Sequence, residues 1–344
     1  MHEFLKRKNI VISAKRYGID AMSAMALGLF SSLVVGLIIK TLGQQSAIWF
    51  GANGISSGMV TLGTFAMQYM GAAIGVAVAY KLQAPPLVMF TSIISGSLGA
   101  VGGGPAGALI AAIIGTELGK AVSGETKIDI ILTPMTVMVT GYLVSITVSP
   151  LIGSFMTFLG QIIMNATLAQ PLITGTVVAL IVGWALTGPI SSAALAIMLG
   201  LGGLAAGAAT AGCAAQMIGF AVMSFKDNGI SGLVAQGIGT SKLQFPNVLK
   251  NPWVLLPPSL AGMIGGALSA TVFKMTNIAA GAGMGTSGLV GQFTTFQDMG
   301  FSMSVFLSVV LLHFVLPIVL TLSFAWVLRR MGKIKDGDLK LDLN

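Results

Sequence analysis

Stretch after stretch of this chain is apolar enough to enter a bilayer, and that is the strongest constraint on its fold. Ten membrane segments are expected, at roughly 19–39, 59–80, 85–101, 105–121, 129–149, 171–187, 189–206, 208–225, 253–273 and 302–328. Several are nearer 17 residues than 20, so they are short, tilted or re-entrant. Hydrophobic residues make up 55% of the chain and charged residues 8%, with a mean hydropathy of +0.92. Soluble domains carry about 25% charged residues. The expected fold class is therefore an all-α polytopic membrane protein of about ten segments, some of them re-entrant hairpins, in a cell inner (cytoplasmic) membrane. Cys213 stands alone and the two histidines are His2 and His313. No disulfide within the chain, metal site or cofactor is expected.

The cations set the orientation. With the N-terminus inside, 16 of the 18 Lys and Arg fall on the inner side and only Lys40 and Lys274 outside. Both termini are expected in the cytoplasm. The net charge of +8 then reflects topology and lipid headgroups, and no nucleic-acid partner is expected. Residues 1–18 lack a cleavage pattern and read as a basic interfacial helix. Residues 331–344 read as a short polar tail. Residues 151–168 carry apolar positions at helical spacing without charge, and read as an amphipathic helix on the outer surface.

Internal similarity suggests two parallel repeats of four segments, 59–150 and 163–273. At an offset of 104, Gly71 meets Gly175, Pro85 meets Pro189, Gly96 meets Gly200 and Gly103 meets Gly207. Further on the offset becomes 124, pairing Pro134 with Pro258 and Gly141 with Gly265. The second unit thus carries an insert, 226–252. It is uncharged in its middle and is expected to form a structured element at the cytoplasmic mouth of a binding site.

Irregular backbone at membrane depth is tolerated where it is buried in protein or lines a cavity, and paired glycine-interrupted segments point to a transporter's site. Three such places stand out: 102–105, a tip near 203–212, and "AAGAGMGTSGLVGQ" at 279–292. The candidate substrate-binding residues are Glu117, Gln216, Gln236, Thr240, Ser287, Gln292 and Asn53. The competing reading is packing for each glycine, a helix–helix hydrogen bond for each polar residue, and an interface position beside Lys120 for Glu117. His313 reads as a structural donor, and Asp298 as the cap of the last segment.

The strings "GTELGKAVSGETKIDIILTP", "LTGPISSAA", "GLAAGAATAGCAAQMIGFAV", "QGIGTSKLQFPNVLKNPWVLLPP" and "GMGTSGLVGQ" together resemble a known family over nearly the whole chain. It is the stand-alone group within the membrane (IIC) subunits of bacterial sugar phosphotransferase systems, a group labelled toxin regulator after a perfringolysin regulator. The resemblance implies a sugar bound in the membrane and moved inward as it is phosphorylated. It also implies a carboxylate in a Gly-Ile-Thr-Glu-like motif, of which Gly115-Thr116-Glu117 is a partial match. A IIB domain carrying phosphate on cysteine or histidine is not expected in this sequence: Cys213 lies in an apolar run and the polar tail is short. Either a separate IIB or IIA protein donates phosphate, or none is transferred.

The expected function is transport of a small polar, sugar-like solute by a homodimer in the lipid bilayer. The alternative is a sensor or regulator on a transporter fold that binds solute without moving it. A self-contained enzyme lacks a nucleophile–base pair or phosphate-binding motif here. A channel lacks a filter or ring of charge.

Overall fold

The computed structural model describes residues 2–188 and 191–341, and is built from helices. Pro189, the expected counterpart of Pro85, lies outside the described residues. Among the described residues, six helices are long and apolar enough to cross a membrane: Lys15–Ile48, Pro86–Val122, Asp129–Ala169, Gly203–Met223, Pro252–Thr271 and Met303–Arg330. A seventh is possible if Gly54–Gln68 and Met70–Lys81, bent by 50°, count as one broken span. The chain divides into two compact units, 1–158 and 159–344.

In the first unit, α1 (His2–Arg7) is short and α2 (Lys15–Ile48) is the first long helix. The basic segment 1–18 is therefore not one helix. Then come α3 (Gly54–Gln68), α4 (Met70–Lys81), α5 (Pro86–Val122) and most of α6 (Asp129–Ala169). Within lipid the hydrophobic effect does not drive helices together, so close backbone approach at small residues must do it. Gly75 of α4 meets the Ser92 carbonyl of α5, and Gly36 of α2 meets the Gly63 carbonyl of α3.

α5 spans 37 residues but is not one straight helix. Gly103 (φ −140°, ψ 18°) and Gly104 (φ 56°, ψ −148°) leave the helical region. The left-handed φ at Gly104 suits a residue without a Cβ. Pro105, with its φ preset and no N–H to lose, restarts the helix. The chain reverses there. A Cβ on Gly99 would lie 2.4 Å from the Gly107 carbonyl oxygen, and Gly115 faces Ser95. Residues eight apart in a straight helix lie about 12 Å apart along the axis. α5 is thus a hairpin of two arms of some 17 residues, folded within one of the six candidate spans.

α6 corrects another expectation. It runs unbroken through Pro134 and Pro150, so 151–168 is not a separate surface helix. At 41 residues it is roughly 60 Å long, about twice a hydrocarbon core. Its first part packs on the hairpin, with Gly141 against Ser95 and Gly153 against Gly103.

In the second unit, α7 (Pro171–Thr187), α8 (Ser192–Met198), α9 (Gly203–Met223), α10 (Phe225–Val234), α11 (Phe245–Lys250), α12 (Leu256–Thr271), α13 (Val290–Met299) and α14 (Met303–Arg330) follow in order. α7, α9 and α12 pack against one another, with α14 alongside α9 and α12. α9 is buried almost throughout. The expected segment 189–206 is not one span: α8 has only seven residues and the chain breaks at 199–202. Left-handed φ occurs at Gly200, within that break, and at Gly203, just after it; the break thus precedes the expected tip at 203–212. Gly207 and Gly212 lie inside α9 and serve packing, against Met275 and Ala179. Counterparts in the supposed repeats also pack differently: Gly71 lies on Gly96 and Ala100, Gly175 on Gly266 and Ala270. Ser302, not Asp298, caps the last long helix by accepting from Val305 N–H.

Residues 226–252 form α10, a π-turn at Ala235–Gly239, a 3-10 turn at Ser241–Gln244, then α11. The tail is not a free polar segment. Ile334 and Leu339 are buried with Phe220 and Val254. The tail's backbone finds partners on the insert's side chains. Asn228 and Gln244 donate to the Leu339 carbonyl at 2.8 and 2.9 Å, and Asn247 donates to that of Lys340 at 2.9 Å.

Candidate functional site

In the first unit, Glu117 sits near the end of the second hairpin arm. Its Oε2 lies 2.9 Å from Lys120 Nζ, one helical turn on. Its Oε1 accepts from the Tyr17 hydroxyl at 3.1 Å and lies 4.0 Å from Arg16 Nε. Lys120 is 1% exposed, and also donates to the carbonyls of Asn9 (2.7 Å) and Leu82 (3.1 Å). The ammonium thus makes two hydrogen bonds and one ion pair. Arg16 donates to the same two carbonyls at 3.1 and 2.8 Å. Asn9 and Gln83 adopt left-handed φ and hold the two turns together through Asn9 Nδ2 and Gln83 Oε1, 2.6 Å apart. Nearby, Glu125 accepts from Arg7 at 2.7 Å and contacts Lys8 at 2.5 Å. These partners, Lys8 foremost, hold its carboxyl below the usual carboxylate range. The Glu117 side chain is largely buried, 12% exposed. It is the hub of a charge cluster tying the N-terminal turns to the open end of the hairpin.

The second unit uses neutral groups. Gln216 bridges α7, α9 and α12: it donates to Ser259 at 3.1 Å and accepts from Thr187 at 3.2 Å. Trp184 donates to Ser259 at 2.8 Å, and Thr187 lies 2.9 Å from Ser241 of the insert. Gln236 is buried; it donates to Ser224 and Gly232 and accepts from Gln244. Thr240 caps the next turn at Lys242 N–H. Lys242 Nζ donates to the Gly188 carbonyl, and burial pushes its ammonium below the ordinary lysine value. Asn53, in the first unit, is an exposed helix cap that accepts from Ile55 and Ser56 N–H. Asn53, Gln216, Gln236 and Thr240 thus have structural partners.

Three irregular segments converge in the second unit. Gly203, at the start of α9, forms an antiparallel bridge with Asn277. Asn277 is fully buried and donates to Thr210, Gly291 and Thr295 at 2.9, 3.0 and 3.1 Å. The glycine-rich loop after it has left-handed φ at Gly285, Gly288 and Leu289. For leucine this conformation is unfavourable, and such residues gather at functional sites. Thr286 donates to the Gly237 carbonyl of the insert at 2.6 Å. Just beyond the loop, Gln292 Nε2 lies 3.0 Å from His313 Nδ1 in a π-helical turn of α14. Both side chains are buried, yet Gln292 Oε1 and His313 Nε2 have no hydrogen-bond partner among the described residues. Buried polar atoms are rarely left so. Ser287 is half-buried beside them in sequence. Sequence reasoning passed over the pairing of Gln292 with His313, since 21 residues separate them with no periodic signal.

A family model described as the phosphotransferase system EIIC matches residues 19–341. This chain belongs to the phosphotransferase system EIIC family. The matched range takes in both units, with the hairpin, the break at 199–202, the insert and most of the folded tail. No curated protein and no solved structure matches the chain. As an EIIC protein it is a multi-pass membrane protein of a sugar phosphotransferase system, built for transport. Family membership implies a sugar substrate and allows for IIA and IIB partners.

Proposed function

We propose that this EIIC protein binds a small sugar-like solute in its second unit and carries it across the membrane. The binding surface is formed where the 199–203 break, the loop 283–289 and the insert meet, with Ser287, Gln292 and His313 supplying polar atoms. The observation carrying this reading is the pair of buried, unpartnered atoms Gln292 Oε1 and His313 Nε2, directly after a glycine-rich loop hydrogen-bonded to the insert. A neutral acceptor and a ring nitrogen suit hydroxyl groups better than a charged ligand. Gln216, Gln236 and Thr240 act in this reading as braces around the site.

The proposal includes a homodimer, a separate IIB protein as phosphate donor, and both termini in the cytoplasm. The last is supported, for the N-terminus, by the segregation of cations within the first unit. Lys8, Lys15, Arg16, Lys81 and Lys120 lie by the open end of the hairpin, whereas Lys40 lies about 35 Å along α2 from Lys15. Resemblance to the toxin-regulator group supports a second reading, a sensor that binds without transport. Uptake of radiolabelled sugars into proteoliposomes, set beside equilibrium binding, separates the two. Uptake with binding supports the carrier, and binding without uptake supports the sensor. Binding unchanged in Gln292→Leu and His313→Leu variants overturns the site.

A further inference from the structure

The N-terminal end of the first unit holds a cavity that the solute reading does not use. It measures about 820 Å³ and is lined by Lys15, Arg16, Lys81, Asp20, Tyr80 and Val11, among others. It lies where α2 begins, α4 ends and α5 begins. We propose that this cavity binds the phosphodiester headgroup of an anionic glycerophospholipid.

Four features carry the inference. Three cations face one carboxylate, so the cavity has an excess of two positive charges. Arg16 is fixed by the Asn9 and Leu82 carbonyls and contributes a charge already in place. Lys15 and Lys81 have no hydrogen bond or ion pair among the described residues, so their ammonium donors are uncommitted. Asp20 can accept from a headgroup hydroxyl. The rim is apolar: Tyr80 and Val11 are 74% and 47% exposed, and Ile12 beside Val11 is 78% exposed. Cations above an apolar wall at the ends of membrane helices match the layering of phosphate over acyl chain, and tyrosine favours that interface. A soluble phosphate would satisfy the lysines but leave the apolar rim in water.

The test uses the delipidated full-length protein in neutral detergent, with thermal unfolding followed as lipid is titrated. Phosphatidylglycerol should raise the midpoint saturably, whereas phosphatidylcholine and inorganic phosphate should not. Each lysine near an anionic surface contributes about one factor of five in affinity. The Lys15→Gln/Lys81→Gln variant should therefore bind phosphatidylglycerol about 25-fold more weakly. Its midpoint without lipid should be unchanged, because neither lysine holds the fold. The doubly substituted Lys15→Arg/Lys81→Arg protein should retain the response. Three results overturn the proposal: equal affinity in the Gln variant, the same loss in a Lys127→Gln control, or a matching response to inorganic phosphate. The last would assign the cavity to a soluble anion.

Discussion

The two units bury polar groups by opposite means. The first concentrates ionised groups in one cluster, Glu117 with Lys120 and Arg16, and seals it with backbone carbonyls. The second spreads neutral amides and hydroxyls: Gln216, Gln236, Gln244, Asn247, Asn277 and Gln292. Buried charges demand partners, and removing one is costly. Neutral amides tolerate the loss of one contact and can exchange protein partners for ligand hydroxyls. The contrast assigns the first unit's cluster to holding the chain and the second unit's network to binding.

The largest effect should come from breaking the charged cluster. Lys120→Met should destabilise the protein by about 3 kcal/mol, because Glu117 keeps a buried charge with only Arg16 and Tyr17 beside it. Glu117→Leu/Lys120→Met together should cost less than Lys120→Met alone. Denaturant unfolding checks this, and additive costs would dissolve the distinction between the units. Next comes the hairpin. In Gly107→Leu a Cβ would sit 2.3 Å from the Gly99 carbonyl oxygen. Forcing the arms apart should cost about 1–3 kcal/mol. Gly202→Ala, with nothing closer than 3.8 Å, should be nearly silent in the same assay.

Smaller effects sharpen the neutral network. Asn277→Ala removes a donor serving three acceptors and should cost about 1–2 kcal/mol, with loss of solute binding as the bridge to Gly203 loosens. Gln216→Met should cost about 1 kcal/mol and leave solute affinity within twofold. A complete loss of binding would move Gln216 from brace to ligand. The smallest effect is acid sensitivity at the surface. Glu125 titrates below its unfolded value, so its pairing with Lys8 and Arg7 stabilises the fold above the unfolded carboxylate pKa. That contribution is lost as pH falls through the lowered folded value. Glu125→Gln should flatten the acid end of the stability–pH curve, and salt should do the same.

What sequence could reveal follows from the range of the signals. The hairpin turn was legible because Gly102–Pro105 break the helix locally. The second break was misplaced by a few residues because Gly207 and Gly212, used for packing, are the same residue type as Gly200 and Gly203, used for turning. The partners of Glu117 were only half legible: Lys120 lies three positions on, but Tyr17 lies a hundred residues away. The tail was misread because its charges dominate its composition, while Ile334 and Leu339, the residues that dock it, are sparse. The Gln292–His313 contact depends on where α13 meets α14, which no spacing encodes.

The docked tail has a consequence for the order in which the second unit is made. Gln244 and Asn247 are synthesised about 95 residues before Leu339 and Lys340, whose carbonyls they will hold. During that interval the insert's amides must stay hydrated or find substitutes, since closing so long a loop requires both ends to exist. The insert therefore settles after α12 and α14 have been laid into the membrane. A chain halted before Leu339 would present an unfinished insert to the quality-control proteases.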